Sequence, residues 1–212
     1  MRPNFSSFLL VIFFFNITAF LNNPNPRTHL FRFVSEDAYD DEFFDRALAR
    51  FVQYHSDDYA ESSLVGIYVK DKFDYSITPQ PSDNPAFVSS KPDAVTEFVL
   101  ASRFGSIGLL AHNTLAGDHL DELDIGSKVI LIYSDGISIE YTVNEVRSYQ
   151  ALDPSSPYSS FQSTSQPNQI ISSDQLFMET YGVPDRLILQ TCISNDDDDA
   201  WGRLFVIATK NY

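Results

Sequence analysis

The sequence is poor in positive charge, with 14 Lys and Arg against 29 Asp and Glu and a formal net charge of −15. Nucleic acids and anionic membrane surfaces are bound through clustered basic side chains, so this balance argues against both as partners. The chain has 212 residues, enough for one ordinary domain with an N-terminal extension and too few for two. We expect a monomer that binds no nucleic acid.

The chain contains a single cysteine, Cys192. One cysteine cannot form an internal disulfide, which is the commonest reason for a cysteine in an exported protein. A cysteine far from the N-terminus also cannot serve as a lipoprotein anchor. Cys192 is therefore either a small apolar core residue or a functional thiol.

The N-terminus has no apolar run long enough for a comfortable membrane-spanning helix. The run from Phe8 to Leu21 covers 14 residues and is interrupted by Asn16, whereas a spanning helix needs roughly 20. Together with Arg2 before it and the polar segment after it, the run favours a removed secretory signal over a short anchor in residues 1–27. The sequence thus predicts an exported protein, extracellular or at the cell surface.

Residues 28–62 are predicted to form a tether that ends in one amphipathic helix. Apolar residues recur at helical spacing between Asp40 and Val52, and acidic residues occupy the first turn, where the helix dipole favours them. A second, short helix is predicted from Ser172 to Gly182, with Ser172 or Ser173 as its cap and Gly182 as its stop. The polar segment 151–170 between strands is predicted to be a long loop.

From residue 63 onward the chain consists mainly of short runs rich in β-branched and aromatic residues. Such runs, separated by turn residues, predict a largely antiparallel sandwich or barrel. Ser134–Ile137 has the composition of a hairpin turn. The seven predicted strands are 63–69, 73–77, 105–111, 128–133, 138–146, 186–191 and 202–208.

Three residues have the types and positions that cysteine catalysis requires. Cys192 is predicted to end a strand, and Arg203 to open the next one, where a guanidinium could stabilise an oxyanion. His112 follows an apolar strand directly and could act as the proton donor. His119 is the alternative histidine and Arg186 the alternative oxyanion donor, while the remaining histidines, His29 and His55, lie on polar segments.

These segments resemble the motifs of sortases. Leu189-Gln-Thr-Cys192 looks like the end of the sortase Thr-Leu-x-Thr-Cys motif, Gly108-Leu-Leu-Ala-His112 looks like the histidine motif, and Arg203 looks like the arginine that opens the last strand. The resemblance covers roughly residues 64–212.

The resemblance implies a mainly β fold over residues 63–212: a closed barrel of about eight strands with a few short helices. It also implies a transpeptidase in which Cys192 is the nucleophile, His112 the acid and base, and Arg203 the oxyanion donor. Sortases cleave a sorting-signal peptide of the Leu-Pro-x-Thr-Gly type and join it to an amine, and Thr191 and Asn113 are expected to contact that substrate. No cofactor is implied.

Two other functions are compatible with the sequence. One is a sortase-like barrel that has lost catalysis and serves as a binding domain, and the other is a cysteine peptidase that uses water as acceptor. Ile193-Ser-Asn195 after the cysteine lacks the arginine of L,D-transpeptidases, which disfavours that class. The acidic loop 195–199 offers calcium ligands, but consecutive aspartates cannot all face one ion, so a solvated loop is favoured.

Overall fold

The structure is a computed structural model that describes residues 42–55, 62–195 and 198–211. The predicted signal segment and the tether up to residue 41 lie outside the described residues. Within them, no helix is long and apolar enough to cross a membrane.

The described chain is mainly β, with ten strands and a few short helices. In chain order the elements are helix α1 (Glu42–His55), β1 (Leu64–Val69), β2 (Phe73–Pro79), β3 (Ala94–Glu97), α2 (Val99–Ser102), β4 (Ile107–Leu110), a 3-10 helix (Ala116–Glu122), β5 (Lys128–Tyr133), β6 (Ser138–Ala151), β7 (Phe161–Ser163), β8 (Ile170–Ile171), α3 (Ser173–Thr180), β9 (Arg186–Asn195) and β10 (Asp198–Lys210).

Eight of these strands close into a barrel. Their order is β10-β9-β4-β3-β2-β1-β5-β6, and pairing between β10 and β6 completes the circle. β7 pairs with the C-terminal end of β6 and β8 pairs with β7, so these two strands extend the sheet beyond the barrel. The expected closed barrel of about eight strands is therefore confirmed. The expectation of largely antiparallel pairing is also confirmed, although two ladders, β2–β3 and β4–β9, are parallel and make the barrel mixed.

Side chains alternate between the inside and the outside of the barrel, as the period of two in a strand requires. The interior is filled by apolar residues such as Leu109, Leu131, Leu187 and Val206, each at most 1% exposed. Outside β4, β9 and β10, a second apolar cluster lies beneath α2 and α3. A third cluster joins α1 to the outside of β1 and β5.

Helix α3 is capped by the residue that precedes it, Ser172. Ser172 accepts a hydrogen bond from the backbone N–H of Gln175, and the Gln175 side chain accepts one from the Ser172 N–H, which makes a capping box. Leu176 and Tyr181 then pack on the outer cluster. The prediction of a short helix capped by Ser172 or Ser173 is thus confirmed with Ser172 as the cap.

Helix α1 docks on the barrel through a notch that only glycine provides. A Cβ atom at Gly66 would lie 2.2 Å from a ring carbon of Phe51, and Phe51 is 3% exposed. Gly66 also follows a register shift in the pairing of β1 with β5. The ring of Phe51 therefore occupies the space that a side chain at position 66 would fill.

The structure corrects the sequence prediction at three strands. β3 was not predicted, and the supposed loop 151–170 contains β7 and the first residue of β8. Phe161 and Ile171 are buried there against the outer cluster, so the segment carries apolar surface that pairing with the end of β6 covers. The hairpin turn is confirmed, with Gly136 at φ 82° and its N–H bonded to the Tyr133 carbonyl.

We expect Gly66→Val to destabilise the protein by about 1–3 kcal/mol, because overpacking would force the Phe51 ring out of its notch. Urea unfolding of Gly66→Val, Phe51→Ala and the double variant measures this effect. Since the two residues touch, the costs should be less than additive in the double variant. Strict additivity would contradict the notch.

Candidate active site

The parallel pairing of β4 with β9 brings the loop that begins at His112 beside the last part of β9. Leu110 pairs with Gln190, and the Ala111 N–H donates to the Gln190 carbonyl at 3.0 Å. β4 ends at Leu110, and the His112 carbonyl already accepts hydrogen bonds from its own loop, so His112 follows the ladder and is not paired in it. Although His112 and Cys192 are 80 positions apart in the sequence, the strands that precede them are therefore neighbours.

Antiparallel pairing sets Arg203 on the other side of Cys192. The two are direct partners in the register of β9 with β10. Cys192 shares its side of β9 with Ile188, and Arg203 shares its side of β10 with Phe205, both of which belong to the outer cluster. Both side chains therefore lie on the outside of the barrel. The same parity, counted from Leu110, assigns His112 to this face.

The three residues differ in exposure. Cys192 is a free, half-buried cysteine, Arg203 is half-buried, and His112 is exposed. Arg203 Nη1 donates to the carbonyls of Ala200 at 2.9 Å and Gly202 at 2.7 Å, so the hairpin backbone holds the guanidinium. Among the described residues, neither the Cys192 thiol nor the His112 ring makes a hydrogen bond, and backbone pairing alone sets their relative position.

The strand ends differ from prediction. β9 continues to Asn195 and β10 begins at Asp198, because Asp198 pairs with Asn195 beyond the barrel. Cys192 and Arg203 therefore lie inside a long hairpin and not at strand termini. A thiol in such a ladder is held more firmly than one at the start of a loop, since its residue is paired with Arg203 on β10.

Asn113 joins the loop after His112 to this hairpin. Its Nδ2 donates to Ser194 Oγ at 2.6 Å and to the Asp199 carbonyl at 3.0 Å. Ser194 Oγ in turn donates to Asp199 Oδ1 at 3.2 Å. One amide thus connects the residue after the histidine with the segment after the cysteine and with β10. Its role as a substrate-binding residue stays a prediction.

Thr191 lies beneath the same loop. It is 4% exposed, and a Cβ at Gly117 would approach its Oγ1 to 2.2 Å and the His112 carbonyl oxygen to 2.6 Å. That carbonyl accepts hydrogen bonds from Leu115 N–H at 3.0 Å and Gly117 N–H at 2.9 Å. Gly117 therefore allows the loop to close over Thr191. Substrate contact by Thr191 likewise stays a prediction.

The alternative histidine and arginine lie elsewhere. His119 is on the 3-10 helix, and its Nδ1 is 2.9 Å from Glu122 Oε1, a contact that is the main cause of the lowered pKa of Glu122. Arg186 opens β9 opposite Thr209, six residues or roughly 20 Å from Cys192, and donates to the Glu179 carbonyl. Among the described residues, the structure pairs Arg203 directly with Cys192, and His112 opens the loop after the strand next to β9.

Two further neighbours of the candidate site have no signature in the sequence. Tyr149 pairs with Arg203 on the side away from Cys192, because β6 lies next to β10. Tyr181 donates its hydroxyl to Gln190 Oε1 at 2.6 Å and so supports β9 from outside. Both contacts depend on strand order. A count of residues between motifs could not have found them.

The described residues contain no group of three or more His, Cys, Asp or Glu side chains arranged to hold a metal ion. Two aspartates of the acidic loop, at 196 and 197, lie outside the described residues.

Comparison with solved structures finds similarity to sortases. Sortase A from Corynebacterium diphtheriae is 13% identical, with 82% of this chain and 71% of that chain covered and a TM-score of 0.48. SortaseC1 from Streptococcus suis is 15% identical, with 82% and 87% covered and a TM-score of 0.47. Sortase C from Clostridium perfringens, solved with the C-terminal cell wall sorting motif, is 14% identical, with 84% and 95% covered and a TM-score of 0.46.

The fold itself, a mainly β chain with a closed eight-stranded barrel and a few short helices, is as the sequence resemblance implied. No protein-family model and no curated protein matches the chain. A structural likeness at this identity assigns neither an activity nor a substrate. The case for function therefore rests on the residues of this chain.

We expect Asn113→Ala to loosen the loop that carries His112. Losing these hydrogen bonds should cost about 1 kcal/mol and speed exchange of the Leu115 and Gly117 amides about fivefold. Hydrogen exchange monitored by NMR measures the change. Asn144→Ala is the matched control, because exposed Asn144 donates at 2.7 Å to Thr209, on β10 away from this loop. Unchanged exchange in Asn113→Ala would contradict the bridge.

Proposed function

We propose that the protein is a cysteine transpeptidase that cleaves a peptide and transfers its acyl group from Cys192 to an amine. The observation that supports this most directly is the pairing of Cys192 with Arg203 on adjacent strands, with His112 in the loop that follows the strand on the other side of β9. A nucleophile, a proton carrier and a permanent cation are the three groups that acyl transfer through a thiol requires.

The proposed reaction begins when the Cys192 thiolate attacks a peptide carbonyl carbon and the carbonyl π electrons move to oxygen. The guanidinium of Arg203 stabilises this oxyanion in the tetrahedral intermediate. As the C–N bond breaks, His112 gives its proton to the leaving amine. A thioester remains on Cys192.

The second half returns the enzyme to its starting state. An incoming amine attacks the thioester, passes a proton to His112, and expels the thiolate as the new amide forms. Water in place of the amine would give hydrolysis by the same steps. We further propose that the peptide is a sorting signal, and that residues 1–27 direct export of the protein.

A specific observation also favours a second candidate, a non-catalytic binding domain with the same barrel. Arg203 donates to two backbone carbonyls of its own hairpin, and the half-buried Cys192 makes no hydrogen bond among the described residues. In a binding domain, the only role of the Arg203 guanidinium would be to stabilise its own hairpin. The reactivity of the thiol separates the two candidates.

We expect labelling of Cys192 by a thiol-directed electrophile to depend on His112 and Arg203, because a nucleophilic cysteine works together with a proton carrier and an oxyanion donor. Iodoacetamide labelling of the full chain, followed by intact mass between about pH 5 and 9, measures the rate. His112→Ala and Arg203→Ala should both slow labelling. The controls His119→Ala and Arg186→Ala should not. Slow labelling that is indifferent to all four changes would favour the binding domain.

With a peptide selected from a library in the presence of an amine, Arg203→Ala should lower kcat/KM by about 10²–10³-fold, the usual effect of removing an oxyanion donor. Arg203→Lys should recover part of this loss, since it restores charge without the fork of N–H groups. The products distinguish transfer from hydrolysis by mass. Equal activity of wild type and Arg203→Ala would remove the proposed role of this residue.

A further inference from the structure

A polar cavity of about 310 Å³ lies beside the proposed site on the same outer face. Its walls are the β6 segment 145–149, the turn between β7 and β8 with residues 163–169, and Glu179 in the last turn of α3. Tyr149 joins it to the site, because Tyr149 pairs with Arg203 and Arg203 pairs with Cys192. Two strand spacings, roughly 10 Å, thus separate the cysteine from the cavity wall.

One pair of charges in the cavity neutralises itself. Arg147 donates from Nε to Glu145 Oε1 at 2.6 Å and from Nη2 to Glu145 Oε2 at 2.8 Å. These bonds are the main cause of the lowered pKa of Glu145 and the raised pKa of Arg147. An Arg147 engaged in this bidentate way has little capacity left to bind an anion.

Glu179 provides a carboxylate that is not neutralised in this way. Among the described residues it makes no ion pair, and Arg186 reaches its backbone carbonyl at 3.3 Å and not its side chain. The pKa of Tyr149 is raised mainly by burial, and the charge of Glu179 adds to that shift against the opposing charge of Arg147. The charge of the Glu179 carboxylate therefore reaches Tyr149, a residue that lines the cavity. The side chains that line the cavity carry one net negative charge.

The remaining lining provides hydrogen-bond acceptors for a cation. Gln166 and Gln169 line the cavity and have amide oxygens, and the hydroxyls of Ser148 and Ser163 line it as well while hydrogen-bonded to Thr164 and Ser165. An ammonium or guanidinium group has only donors, so a surface with one uncompensated carboxylate and several neutral oxygens complements it. An anionic ligand would meet Glu179 with no free cation in the lining to offset the repulsion.

We propose that this cavity binds the cationic side chain of a lysine or arginine in the peptide that occupies the site. The identity of the ligand as part of a substrate rests on the proposed transpeptidase function, whereas the binding of the cation does not. Arg147 pairs with Phe205, which pairs with Gln190, so the cavity centre lies two strands across and two residues along from Cys192, roughly 12 Å away. An extended peptide covers this in about three or four residues.

A binding experiment tests the cation site without catalysis. The full chain carrying Cys192→Ala is titrated with N-acetyl-lysine amide, and with N-acetyl-norleucine amide as the neutral analogue, up to about 50 mM, while NMR follows the amides of residues 163–169. We expect saturable shifts with the lysine compound only. Glu179→Gln should weaken binding about three- to fivefold, the upper range for one exposed ion pair.

Glu42→Gln is the matched control, because Glu42 is an exposed carboxylate on α1, packed on a different part of the barrel. It should leave the affinity unchanged. Equal binding of the norleucine compound, equal affinity of Glu179→Gln and the parent, or no shift over the whole range would each overturn the proposal.

A second experiment assigns the cation to one of the two substrates. Lysine or norleucine is placed at successive positions of the acyl donor or of the amine acceptor, and kcat/KM is compared between wild type and Glu179→Gln. A lysine preference that Glu179→Gln reduces supports the site, and the arm in which it occurs names the substrate. A preference that survives Glu179→Gln contradicts it. Lysine binding with an unreactive Cys192 would leave the cavity intact and reject only the transpeptidase.

Discussion

The arrangement of the site depends on β9 lying between β4 and β10. Its parallel ladder to β4 brings the start of the His112 loop beside β9, and its antiparallel ladder to β10 makes Arg203 a direct partner of Cys192. A shift of one residue in either ladder would turn a side chain to the interior, because successive residues point to opposite faces. The interior packing of Leu187 and Leu189, each at most 1% exposed, holds this register.

Close contacts also hold the loop that follows β4 and carries His112. Gly117 lets the loop approach Thr191, and Asn113 bonds to the hairpin on the other side. The histidine loop is thus held from below by van der Waals contact and from the side by hydrogen bonds. The imidazole itself stays exposed.

The residue types of the site were predictable from sequence, but most of their contacts were not. Cys192, His112 and Arg203 follow from short motifs and from their positions near apolar runs. The parallel pairing of β4 with β9 leaves no local pattern, since its partners are far apart along the chain. Asn113 was predicted to bind substrate, whereas its observed partners belong to a hairpin whose extent depends on pairing at Asn195 and Asp198. The same reason explains the missed strands. β3 has only four residues, and β7 and β8 become strands through the edge of β6.

The notch at Gly66 determines which side of the barrel carries helix α1. β1 and β5, which carry α1, lie halfway around the barrel from β9. Helix α1 therefore lies on the side of the barrel opposite the face with Cys192. A fusion partner joined ahead of α1 would leave the face with Cys192 open to large polymers, and a protein immobilised through that end would present this face outward.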